Sequence, residues 1–133
     1  SAVSVTGTES LKNEFRNFDI REDIIITQVV PALDSSLPIV ENARKAQGDR
    51  IGYTSLEGYI VGKMFLAILD KIGGTPTRER FIEAARGHKF DLGGLELDFT
   101  NDNQGSDFVL LTLLQGDKFT VIEPSYIENL FIQ

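Results

Sequence analysis

The chain has 133 residues, of which 41% are hydrophobic and 25% charged, the balance of one modest globular domain and not of a disordered segment. A net charge of −7, with scattered Lys and Arg, argues against nucleic acid and anionic membrane surfaces, because both need clustered cations; Arg78 and Arg80, for example, are separated by Glu79. Without cysteine there is no thiol nucleophile, disulfide framework or thiolate metal site, and the compartment stays open. The opening SAVSV reads as a strand, not as the charged and then apolar regions of a signal peptide. The most apolar helical stretch, 60–69, carries Lys63 and falls short of the roughly 17–25 residues of a membrane span.

In chain order, residues 2–5 form a short apolar run ending at Thr6-Gly7-Thr8, and a short helix is predicted over 9–15 with Thr8 as N-cap. The clearest strand is 24–30, IIITQVV, whose nearly continuous apolarity suits a buried parallel strand and which Pro31 ends. A helix follows from the 34–38 start signals to about Gln47, with Ile39, Val40 and Ala43 as its apolar stripe. The strongest helix is predicted over 55–72, with Thr54-Ser55-Leu56-Glu57 as a capping box and Gly73 as its stop. Leu56, Tyr59, Ile60, Phe65, Leu66, Ile68, Leu69 and Ile72 give it a broad face expected to be buried. Another helix starts at Thr75-Pro76 and closes at Gly87, with Phe81, Ile82, Ala84 and Ala85 inward. Strands are predicted over 95–99, 108–114 and 119–122, separated by turn chemistry at 101–106 and 115–117. The order is β-α-β-α-α-α followed by a β meander, an α/β arrangement without internal repeat. Its two early strands need the late strands, or strands from elsewhere, as neighbours.

No constellation for catalysis emerges. His88, the only histidine, has no orienting partner or companion ligand at a useful spacing and reads as a solvated residue past a helix end. The 98–107 segment is rich in Asp and Asn, but its Gly105 misses the position that an EF-hand calcium loop requires, so a polar turn is expected. Gly73-Gly74 and Gly93-Gly94 continue into no phosphate-binding pattern, and no serine sits in a nucleophile elbow. The chain is read as a non-enzyme with no cofactor and no metal.

A collinear series of short passages carries more information. Glu57-Gly58-Tyr59, the long helix, then Gly73-Gly74-Thr75-Pro76-Thr77-Arg78-Glu79 resemble one passage of the type I periplasmic binding proteins, in the branch that includes leucine/isoleucine/valine-binding proteins. Phe90-Asp91-Leu92-Gly93-Gly94-Leu95, Asp98-Phe99 and Asn103-Gln104-Gly105 are similar to the next passage, and Val109-Leu110 through Gly116-Asp117-Lys118-Phe119 to the family's ending. Upstream, Val3-Ser4-Val5 with Gly7 and Leu11 looks like a strand–helix junction of the family, and Ile26-Thr27-Gln28-Val29-Val30-Pro31 like its crossover strand.

The resemblance implies the C-terminal part of a two-lobed type I fold, with residues 1–30 and 97–133 in the second lobe and 31–96 in the first. It implies a periplasmic or extracellular receptor that closes a hinge on an amino-acid-like solute and serves an ABC permease or, alternatively, a sensor partner. Pro31, Asp98 and Phe99 fall at hinge crossings by this likeness. Ser4 falls at the cleft end of a strand, and Tyr53 and Thr54 at a helix N-terminus. There an aromatic ring would cover an apolar ligand and the helix end would favour a carboxylate. The remainder of the receptor, or a self-associated copy, is expected to cover what this portion leaves exposed.

Overall fold

A computed structural model describes residues 2–3, 7–20 and 23–130. The chain forms two compact units: 1–33 with 52–54 and 108–133, and 34–51 with 55–107.

The first unit is built on a four-stranded sheet in the order β1-β2-β5-β6, from β1 (Ala2–Val3), β2 (Ile24–Gln28), β5 (Leu110–Gln115) and β6 (Lys118–Val121). β1 runs parallel to β2, with Ala2 beside Ile26. β2 is antiparallel to β5, with Ile24 opposite Leu114, Ile26 opposite Thr112 and Gln28 opposite Leu110. The β5–β6 hairpin pairs Gln115 with Lys118 and turns on Gly116 (φ 57°) and Asp117, the glycine-first pattern of a type II′ turn that matches strand twist. β-Branched and leucine side chains explain why these segments extend. Ile26, Gln28, Thr112 and Leu114 are all buried to within about 1% of full exclusion on one face.

Helix α1 (Thr8–Asn17) is one residue longer at its start than the sequence predicts, and Gly7 (φ 71°), not Thr8, occupies the cap position. Thr8 is inside the helix because its hydroxyl turns to the sheet: it accepts from Gln28 Nε2 at 3.3 Å and donates to Gln28 Oε1 at 3.4 Å. Gln28 Nε2 also reaches Thr112 Oγ1 at 3.3 Å, and that hydroxyl donates to Ile26 O at 3.0 Å. A strand read as nearly continuous in apolarity therefore carries a buried amide that is satisfied by α1 on one side and β5 on the other. Helix α5 (Pro124–Leu130), absent from the sequence prediction, follows β6.

In the second unit, α2 (Pro38–Gln47) buries Ile39, Val40 and Ala43, the stripe expected from its spacing. α3 (Tyr53–Asp70) buries Leu56, Ile60 and Ile68, but Val61, Phe65 and Leu66 stand about half exposed at 50%, 49% and 54%, so the broad predicted face is only partly covered. Phe65 stacks on Phe81 of α4 (Arg78–Ala85), ring centroids 5.2 Å apart. α4 starts later than Thr75-Pro76 because Thr77 Oγ1 caps it, accepting from Arg80 N–H at 3.3 Å. The Arg80 guanidinium meanwhile donates to Gly73 O and Thr75 O, holding 73–75 in a turn.

β3 (Lys89–Asp91) and β4 (Glu96–Asp98) form a separate antiparallel hairpin, so the late strands divide between two sheets instead of running as one meander. Phe90, Leu92 and Leu97 are its buried side chains, each contributing about 1.5–3 kcal/mol of transfer free energy. Asp91 Oδ1 accepts from Gly93 N–H and Gly94 N–H, and Gly93 O accepts the Ile39 N–H at 3.1 Å in the first turn of α2. The following loop folds back so that Gly105 O accepts the Asp98 N–H at 2.8 Å. A Cβ at Gly105 would lie 2.6 Å from Cζ of the Phe99 ring. Gly105→Ala is therefore expected to destabilise this unit by about 1–3 kcal/mol, the usual cost of overpacking. A denaturant melt with an unchanged midpoint would contradict this.

Candidate functional site

The best-placed candidate residues lie in the first turn of α3. The sequence predicts Thr54 as a capping residue, but the helix already begins at Tyr53, so Thr54 lies inside it. The peptide just before it is held from several sides. Tyr53 is only 5% exposed, and its ring meets Phe119 of β6 edge to face at 5.9 Å and 88°. Lys12 Nζ lies 5.4 Å from the centre of the same Phe119 ring and pairs with Glu9 Oε2 one helical turn away. Glu9 Cγ lies beside Gly52, 3.3 Å from where a Cβ would stand, so a side chain at residue 52 would press on Glu9. Thr54 is exposed. The arrangement offers a hydroxyl at the positive end of an 18-residue helix, whose dipole favours a carboxylate.

Lys12 and Phe119 are absent from the sequence-derived site. The Glu9–Lys12 spacing is legible as a helical i, i+3 pair, but nothing local links either to Tyr53 or Phe119.

Ser4 lies outside the described residues. Pro31 is buried just beyond β2, in the same unit as Tyr53 and Thr54. Asp98 and Phe99 belong to the second unit, at the end of β4. The chain leaves the first unit between Leu33 and Asp34 and returns for its last stretch between Asp107 and Phe108. Phe99 is anchored: its N–H donates to His88 O, its carbonyl accepts from Gly87 N–H, and its ring packs against Phe90 at 6.2 Å.

Among the described residues Asp98 is the most strongly perturbed titratable group. The Thr100 hydroxyl donates to its carboxylate at 2.5 Å, the Thr100 N–H at 2.9 Å, and the Lys89 ammonium pairs with it at 2.9 Å. These donors lower its pKa from 3.8 to about 2, with Thr100 the larger cause. Lys89 is raised in turn, first by Glu96 and then by Asp98. His88 is exposed, and its Nδ1 lies 2.8 Å from Arg86 O, which can only accept, so Nδ1 carries the proton. The other acids of this loop are tied into turns: Asp102 accepts from Gln104 N–H and Asp107 from the Gln104 amide. Among the described residues no group of three or more His, Asp or Glu side chains is placed to hold a metal ion, and no helix is long and apolar enough to cross a membrane.

Because its folded pKa is depressed, Asp98 stabilises the hairpin above its unfolded pKa near 3.8, and that contribution disappears as pH falls through about 2. Carboxyl NMR titration is expected to place Asp98 near the lower value, and Thr100→Ala to return it part of the way. An Asp98 midpoint in the ordinary range in the unsubstituted chain would refute this geometry.

The fold has counterparts among solved structures. Over 91% of its length the chain superposes, with a TM-score of 0.78 and 33% identity, on a possible leucine/isoleucine/valine-binding protein from Rhodopirellula baltica SH 1, and it covers 34% of that chain. An extracellular ligand-binding receptor from Verminephrobacter eiseniae ef01-2 matches over 74% of this chain and 30% of its own, with a TM-score of 0.60; at 24% identity that likeness is one of fold alone. No family model and no curated protein matches the sequence. The chain thus has a type I periplasmic-binding-protein fold, the class that its sequence resembles. Within that class its likeness is to the possible leucine/isoleucine/valine-binding protein, of which it spans about a third.

Proposed function

We propose that this chain is part of an extracytoplasmic solute receptor that binds an amino-acid-like ligand and acts by hinge closure, with no bond made or broken. The observation that carries the reading is the 33% identical superposition on a possible leucine/isoleucine/valine-binding protein. In this reading Thr54 donates to the ligand carboxylate at the α3 N-terminus, with Ser4 as a second contact. Tyr53, buried on Phe119, supplies the apolar wall and fixes where Thr54 stands. The segment after Pro31 serves as one hinge crossing, and the anchored Asp98-Phe99 pair is the fixed end from which the returning crossing departs.

The partner that fits such a receptor is an ABC permease in a periplasmic or extracellular setting. The half-exposed Val61, Phe65 and Leu66 of α3 are then the surface on which the rest of the receptor packs. Binding by the 133-residue chain alone is expected to be weak or absent.

The test is calorimetric titration of branched-chain and aromatic amino acids into the longest polypeptide that carries this sequence. Saturable binding is expected, weakened about tenfold by Thr54→Ala, the equivalent of one hydrogen bond to a charged group at about 1.5 kcal/mol. A cooperatively folded polypeptide that binds none of these solutes, or turns one over chemically, would contradict the proposal.

A further inference from the structure

We propose that the buried Gln28 amide, with Thr8 and Thr112, is the register lock of the four-stranded sheet. The need for a lock follows from how the strands are joined. β5 and β6 are connected by the two-residue Gly116-Asp117 turn, which sets their pairing by itself. β2 and β5 have residues 29–109 between them, so no turn dictates how they align. Hydrophobic patterning sets that alignment only to within two residues, since a one-residue slip reverses the faces and a two-residue slip preserves them. The sequences, IIITQ against LLTLLQ, offer Ile and Leu in either case.

The two possible slips of two residues fail for different reasons. One would set Ile24 opposite Gly116, running β2 into the hairpin turn. The other would set Ile26 opposite Leu110 and Gln28 opposite Phe108, a residue 38% exposed in the observed register. That alternative still sets Ile25 and Ile26 opposite leucines, Leu111 and Leu110, but it takes Ile24 from Leu114 and moves Leu113 opposite Asp23. A further cost falls on the buried polar groups: Thr112 moves opposite Ile24, four residues along the strand from Gln28, about 13 Å at the rise of a strand and far beyond hydrogen-bond reach. The Gln28 amide would then be buried with only Thr8 to meet it. In the observed register every buried side-chain nitrogen and oxygen among the described residues has a partner. Gln28, Thr8 and Thr112 are 0%, 1% and 0% exposed, so water cannot replace a lost bond. The lock holds whatever the chain binds, because it depends only on these three side chains.

The test is NMR of the isotope-labelled chain, comparing Thr112→Val, which removes the hydroxyl at constant shape, with Thr112→Ser, which keeps it. The valine variant is expected to show a second set of resonances confined to residues 24–28 and 110–115, with cross-strand contacts from Ile26 to Leu110. The serine variant is expected to show one set. A valine variant with a single set and Ile26 still facing residue 112 would overturn the proposal. If it does not fold, the triple variant Thr8→Val, Gln28→Met, Thr112→Val leaves none of the network's polar groups behind and decides the matter. Two registers are expected in that variant. A single native register, or failure to fold, would show that the network does something other than choose between registers.

Discussion

One buried amide constrains the first unit more than any apolar contact does. Gln28 ends β2, where its side chain meets the first residue of α1 and the middle of β5, 20 and 84 residues away in sequence. Apolar pairs such as Ile24 with Leu114 and Ile25 with Leu113 favour the sheet, yet aliphatic contacts tolerate several arrangements because one such side chain replaces another at little cost. A buried amide is intolerant. Leaving it unmet costs about 1–3 kcal/mol, a large fraction of the stability of a small domain. The position of α1 against the sheet and the alignment of β2 with β5 follow from that intolerance.

The candidate ligand-facing turn depends on the same frame. Phe119 is presented by β6, which the tight hairpin ties to β5, and Tyr53 rests on Phe119. Lys12 reaches the same ring from α1, whose first residue is held by Gln28. The start of α3 is thereby positioned by a sheet and a helix far from it in sequence. In the proposed receptor role such placement would serve binding, because a ligand contact on a turn set by packing is already oriented before the ligand arrives. In the second unit the equivalent work is done by backbone bonds, with the Gly93 carbonyl on α2 and the Gly105 carbonyl on β4 fastening the hairpin and its return loop.

Much of this was legible from local pattern. The β-branched run of β2, the Ile39, Val40 and Ala43 stripe of α2, and the glycine-bearing turn between β5 and β6 were all readable because each is decided by residues close together in sequence. The type I fold was legible from collinear passages, and the superposition agrees with it. What stayed hidden was decided at a distance or by very short elements. β3 has three residues and one buried side chain, too little for a periodicity, although Gly93-Gly94 marks its turn. Thr8 has the chemistry of a cap, and only the presence of Gln28 draws its hydroxyl inward. Thr54 looked like a cap from its local sequence, and the Tyr53–Phe119 contact beside the helix start has no sequence signature. The exposure of Phe65 and Leu66 is likewise a matter of what packs on α3, which its own periodicity does not reveal.

The central claim, that a fully buried side-chain amide orders this sheet, is tested most directly on the unsubstituted chain by hydrogen exchange at the Gln28 side-chain NH2. Protons held between Thr8 and Thr112 are expected to exchange only as fast as the backbone amides at the centre of β2 and β5, through global opening. Nuclear Overhauser contacts from the Gln28 side chain to both threonine methyl groups are expected to accompany that protection. Exchange as rapid as that of a surface glutamine, or contacts to one threonine alone, would contradict the account.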